Sequence, residues 1–196
     1  MRPRILLSLL ALAAACAHRA PPAAVAPAAR ATPAEDFPLA VGNAWTWVDE
    51  SPALPPERRG AERPVRILSR DADGYFHDSE RGELRADADC LHDRLRRLLC
   101  APFEPGQAWS SVVSVSSTER YEIAAVGEKV TTPAGTFDGC VRVRAHNRAG
   151  ASTDYVNEIT YAPGVGPVRI ETFSVVKGAV TPQVRAVLRA YELKGR

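Results

Sequence analysis

The sequence lacks the short signatures that mark common catalytic centres. It has no Gly-x-Ser-x-Gly elbow, no His-Glu-x-x-His motif and no phosphate-cradling glycine loop. Its histidines, His18, His77, His92 and His146, never fall at His-x-x-x-His spacing, and Cys90-x-His92 is the closest Cys/His combination. No metal and no cofactor is therefore expected. Cys-x-x-Cys is missing, which argues against thioredoxin-type redox chemistry. No stretch after the first fifteen residues is apolar enough to cross a bilayer as a helix, which needs ~20 residues. There is no internal repeat. A large excess of positive charge is lacking too. The formal net charge is +2, and it falls to 0 if Arg2 and Arg4 are removed with a leader. A neutral chain offers no argument for nucleic acid as a partner.

What is present begins at the first residues. Arg2 and Arg4 precede an apolar run from Ile5 to Leu12, followed by Ala13-Ala14-Ala15-Cys16. A positive start, a short apolar run and small residues make up an export signal, here residues 1–15. The small residues before Cys16 resemble the lipobox of bacterial lipoproteins. Ala13 stands where the commonest lipobox has Leu. The resemblance implies that Cys16 becomes the first mature residue and the lipid attachment site, carrying a diacylglycerol and an N-acyl chain such as palmitate. Two or more acyl chains hold a protein stably on a membrane. In diderm lipoproteins an Asp after the cysteine resembles an inner-membrane retention mark. Ala17 occupies that place, which implies the outer membrane, with the domain facing the periplasm.

Residues 16–35 contain mostly alanine and proline with nothing bulky to bury. Such a segment cannot offset its ordering entropy and reads as a disordered tether. Residues 36–196 are long enough for one domain with a core. Within them, Ser51 to Arg63 reads as a long proline-bearing loop.

The remainder alternates in strand fashion. Candidate strands are Ala44 to Val48, Pro64 to Arg70, Tyr75 to His77, Ser111 to Ser117, Tyr121 to Val126, Lys129 to Thr132, Cys140 to Arg144, Tyr155 to Tyr161, Val168 to Val176 and Val184 to Leu193. Turn residues recur every 8 to 12 positions. The fold class expected is mainly β: a single antiparallel domain, as a curved sheet, sandwich or open barrel. Leu91, Leu95, Leu98 and Leu99 also fit helical spacing. Strand is preferred for Leu95 to Cys100, because the turn at Pro105-Gly106 follows at once.

Setting Cys16 aside leaves Cys90, Cys100 and Cys140. An oxidising periplasm permits one bridge and leaves one thiol over. Cys90–Cys100 is the favoured pair, since the two can sit on neighbouring strands or flank a hairpin. Cys140 reads as a small buried residue. Asp71-Ala72-Asp73-Gly74 lacks the bidentate Glu of a calcium loop and reads as a β-turn. His77 and His146 read as surface residues of strands.

Four patches carry a wider resemblance. They are Phe37-Pro38-Leu39-Ala40-Val41-Gly42-Asn43-Ala44-Trp45-Thr46-Trp47, then Leu99 to Trp109, then Thr132-Pro133-Ala134-Gly135-Thr136-Phe137 running on to Val143, and Tyr161-Ala162-Pro163-Gly164-Val165-Gly166-Pro167-Val168. In this order they resemble a group of uncharacterised bacterial envelope proteins and lipoproteins. The resemblance implies an antiparallel β fold and carries over no catalytic residue. Trp45, Trp47, Phe137 and Tyr161 read as core or edge aromatics, or as the lining of an apolar ligand cavity. The expected function is that of a non-enzymatic envelope lipoprotein. Its anchor engages the membrane and its domain binds a protein partner, a lipid or another apolar ligand in the periplasm. The alternatives are an enzyme acting on an envelope polymer and a structural module of an envelope complex.

Overall fold

A computed structural model describes residues 32–194. The signal segment, Cys16 and most of the tether lie outside the described residues.

The tether does not extend to residue 35. A helical turn, α1 (Pro33–Asp36), already precedes the domain. Thr32 caps it: its hydroxyl accepts from the Glu35 N–H, and the Glu35 carboxylate accepts from the Thr32 N–H at 2.7 Å. This reciprocal box satisfies two otherwise orphaned donors and fixes the turn. Pro33 and Asp36 are buried against the sheet.

Twelve strands follow: β1 (Ala44–Asp49), β2 (Glu62–Arg70), β3 (Phe76–Asp78), β4 (Glu83–Ala86), β5 (Cys90–His92), β6 (Arg97–Cys100), β7 (Ala108–Ser114), β8 (Ser117–Thr132), β9 (Gly135–Arg148), β10 (Thr153–Ala162), β11 (Gly166–Val176) and β12 (Ala179–Glu192). They form one antiparallel sheet in the order β6-β5-β4-β3-β2-β1-β12-β11-β10-β9-β8-β7, a nearly closed barrel. Successive strands pair, except β6 with β7, as short hairpin connections favour. Two junctions depart from this. The first and last strands, β1 and β12, pair with each other, with Ala44 opposite Glu192. β6 and β7 are the two ends of the ladder.

Those two ends are bridged by side chains. The Trp109 indole donates to the Arg97 carbonyl at 2.7 Å, and the Arg97 N–H donates to the Ser111 hydroxyl at 3.0 Å. The Arg97 guanidinium donates to the Ser110 carbonyl at 2.8 Å. Bare strand edges are sites of unwanted pairing, and these bonds occupy them.

Several strands differ from their expected limits. Tyr121–Val126 and Lys129–Thr132 are parts of one strand, β8. Gly127 adopts a left-handed φ of +79°, and bulges on both sides of Val126 keep β8 paired with β9. A bulge absorbs the extra residue without ending the ladder. Ser117 belongs to β8 and not to the strand before it, because β7 ends at Ser114 and Val115-Ser116 make the turn. Leu95 is not in a strand. Asp93 accepts from the N–H groups of Leu95 and Arg96 and turns the chain there, so the strand starts at Arg97. Leu91 and Leu99 then lie opposite each other inside the barrel. The loop after β1 is shorter than expected, since β2 begins at Glu62.

The interior holds Trp45, Trp47, Leu91, Leu99, Ile123, Val143 and Leu188 among others. The opposite face of β8, β9 and β10 carries an ion ladder. Arg142 meets Glu128 at 3.1 Å and Glu158 at 2.9 Å; Arg144 meets Glu122 at 3.1 Å and Glu158 at 2.7 Å. The two arginines cover Glu158, which is buried. Burial opposes its ionisation, but the bonds from Arg144 and Arg142 outweigh that and hold its carboxyl below the usual range.

Candidate functional site

Strand β1 alternates over Ala44 to Trp47, so Trp45 and Trp47 are buried in the barrel and Thr46 is not. The Trp45 indole donates to the Val165 carbonyl at 2.8 Å. Phe37 packs edge-on against the Trp45 ring, with centroids 5.1 Å apart and an interplanar angle of 80°. The same Phe37 ring lies over Gly166, where a Cβ would come within 2.4 Å of it. Gly166 also has φ +96°, so a glycine is required there twice over. The Phe-Pro-Leu…Trp-Thr-Trp patch and the Ala-Pro-Gly-Val-Gly-Pro turn are thus one packed unit.

Behind this unit lies an apolar cavity of about 180 Å³. Phe37, Trp45, Trp47 and Tyr161 contribute the rings; Ile67, Leu84, Leu91, Leu98 and Ile170 are among the aliphatic residues that complete the lining. Both halves of the sheet contribute, β10, β11 and β1 on the one hand and β2 to β6 on the other. Two polar groups on this lining have no hydrogen-bond partner among the described residues: the Tyr161 hydroxyl and the Trp47 indole N–H. Tyr161 is only 2% exposed. Burial pushes its phenol far up, so it stays protonated. The one carboxylate on the lining is Asp78, which accepts from the N–H groups of Glu80 at 2.8 Å and Gly82 at 2.7 Å.

Phe137 is not part of this site. It packs on Tyr191 of β12, with ring centroids 6.2 Å apart. It is the third residue of β9, next to the turn that joins β8 to β9, and pairs with Val130. Phe37 and the leucines of β4 to β6 do line the cavity, and the sequence marked none of them as site residues. Their only local signal was hydrophobicity, which a filled core shares.

A second polar cluster sits near the β6–β7 gap. Glu119, buried on β8, accepts from Arg96 at 2.9 Å, from the Tyr121 hydroxyl and from Asn147 at 3.4 Å. Tyr121 stacks on Trp109, with centroids 5.6 Å apart and planes 8° from parallel. Every group here is engaged within the cluster, which fastens the β5–β6 turn to β8.

A wider polar groove of about 630 Å³ crosses β8, β9 and β10, lined by Arg120, Glu122, His146, Arg148 and Asp154 among others. It is larger than the apolar cavity, but its charges are of mixed sign and Arg148 is spent on the Gly150 and Ala151 carbonyls.

Two of the histidines, His77 and His92, pair with carboxylates, and His146 lines the polar groove. His77 is not a free surface residue: it lies 3.1 Å from Asp71 and 3.4 Å from Glu83, and Arg94 bonds both of those carboxylates. His92 pairs with Asp87 at 2.6 Å. Asp71 to Gly74 is a turn closed by the Gly74 N–H on the Asp71 carbonyl at 3.1 Å. No group of three His, Cys, Asp or Glu converges as a metal site among the described residues. Cys90 and Cys100 lie opposite each other on β5 and β6 and are joined by a disulfide. Cys140 is a free thiol and fully buried; burial, with Glu128 and Asp138 nearby, pushes it up to about 11.

No family model matches the chain, and no curated protein matches it. Two solved structures are similar. One is a candidate lipoprotein from Parabacteroides distasonis, 15% identical, with a TM-score of 0.43. The other is a candidate exported protein with a YmcC-like fold from Bacteroides fragilis, 16% identical, with a TM-score of 0.48. Each alignment covers 80% of this chain and 98% of the other.

Proposed function

We propose that this chain is a lipoprotein of the cell envelope that carries a small apolar ligand inside its β-barrel. Cys16 is the anchor, the outer membrane its site, and the periplasm the space the domain faces. The residues after Cys16 tether the barrel within reach of the membrane. The domain acts by binding and not by catalysis.

The observation that carries the ligand reading is the apolar cavity, with its unpartnered Tyr161 hydroxyl and Trp47 N–H. Neither atom is sealed off, so each is free to bond a molecule that enters the cavity. Two such groups on one apolar lining offer hydrogen bonds to an occupant. At about 180 Å³ the space is smaller than a drug-sized pocket and close to an engineered cavity that accepts benzene. It suits a single ring or a short alkyl segment.

Native mass spectrometry of the chain from residue 17, which lacks the anchor and keeps every described residue, tests the ligand. A co-purifying small apolar molecule is expected after isolation from the periplasm. A clean unliganded mass, together with no change in tryptophan fluorescence on adding alkyl or aromatic probes, overturns it. The anchor is tested separately with Cys16→Ser. Loss of the acylated species is expected, and a lipid-modified Cys16→Ser protein overturns the anchor assignment.

A further inference from the structure

We infer that the barrel's occupant is an electrically neutral molecule, alkyl or aromatic in body, bearing an oxygen that engages Tyr161, with the Trp47 N–H as a second donor on the same lining. This rests on the reading of the cavity as a ligand site and adds the chemical class.

Three features exclude a charged occupant. No lysine, arginine or histidine lines the cavity, so an anionic head would have no counter-charge there. Asp78 is the one ionisable carboxylate on the lining, and it repels a second carboxylate. A cationic head would need Asp78 as its partner, but that carboxylate is turned onto the β3–β4 turn, with Oδ1 accepting from the Glu80 and Gly82 N–H groups and Oδ2 lying against Gly82. A charge placed among Trp45, Ile67, Leu91 and Ile170 would lose its hydration without adequate repayment.

Two features call for an oxygen. The Trp47 indole can only donate, and the protonated Tyr161 hydroxyl can donate or accept. A carbonyl or ether oxygen satisfies either group as an acceptor, and a hydroxyl can also donate to Tyr161. A pure hydrocarbon would fill the space but leave both groups unmet. Fatty alcohols, aldehydes, esters and small aromatic ketones or phenols belong to the class. Fatty acids in their ionised form and whole phospholipids do not.

The test uses the anchor-free chain from residue 17 with four probes: 1-octanol, methyl heptanoate, octanoate at pH 8 and n-octane. Binding is read from tryptophan fluorescence. Octanol and the ester should bind more tightly than octanoate by about tenfold or more, because the charged head lacks a partner. Tyr161→Phe removes one hydroxyl and keeps the ring. It should weaken octanol or the ester by about 3- to 10-fold, the range of one net hydrogen bond, and leave octane unchanged. Octanoate binding as tightly as octanol overturns the assignment of a neutral ligand. Equal effects of Tyr161→Phe on octanol, the ester and octane overturn the hydrogen-bond assignment. In both cases the cavity remains a ligand site. Failure of all four probes, octane included, overturns the ligand-site reading itself.

Discussion

The Trp45 indole and the Val165 carbonyl, 120 residues apart in sequence, are joined by a buried hydrogen bond of 2.8 Å. This bond ties the first strand to the β10–β11 turn. Trp45→Phe keeps most of the ring area and deletes the donor, so the Val165 acceptor loses its partner. Stability should fall by about 1–3 kcal/mol in urea unfolding. A change within the error of the measurement would remove this bond from any account of how the cavity wall is held.

Gly166 and Phe37 form a second dependence. Gly166→Ala introduces a Cβ at φ +96° and into the Phe37 ring. A loss of at least about 1 kcal/mol is expected from the backbone alone. In a Phe37→Ala background the steric part disappears, so the same substitution should cost less. A double-mutant cycle measures the difference, and strict additivity would show that the two residues are not in contact.

The Cys90–Cys100 disulfide closes a loop with a sequence separation of 10. The chain-entropy relation gives about 2–3 kcal/mol for such a loop. The double variant Cys90→Ser, Cys100→Ser should unfold at a correspondingly lower denaturant concentration. It should also loosen the β5–β6 hairpin, seen as faster amide exchange at Leu91 and Leu99. Unchanged exchange there would mean that packing alone holds the hairpin.

Acid should destabilise the barrel through Glu158. Its folded pKa lies below its ordinary value of 4.5, because bonds from Arg144 and Arg142 outweigh the effect of burial. A depressed carboxyl contributes stability that is full above the unfolded value and lost as pH falls through the folded one. Wild type should therefore lose stability below about pH 4.5 more steeply than Glu158→Gln. At pH 7 the variant should be less stable by about 2 kcal/mol, the scale of a charge-assisted bond. Identical pH profiles for the two proteins would rule out this carboxylate as a source of acid sensitivity.

Cys140 is inert by the same physics. The reactive form of a cysteine is its thiolate, and burial holds this thiol protonated with a pKa of about 11. Native protein should resist thiol reagents at pH 8 and react fully once unfolded. Rapid labelling of the native state would show that β9 opens readily.

The sequence by itself determined the β class, the approximate strands and the turns. These are local properties: period-two alternation and residues such as Pro133 and Gly164 act within a few positions. It also brought Cys90 and Cys100 into one short hairpin. Tertiary structure decided the rest. Gly127 reads locally as a break, and only pairing with β9 turns it into a bulge. Phe37, Leu84 and Leu98 line a cavity because strands far apart in the chain curl round to meet. Trp47 and Tyr161 share its lining, whereas Phe137, an equally good candidate by sequence, packs on Tyr191. A ring's hydrophobicity is written in its residue type, but which void it borders depends on the closure of twelve strands.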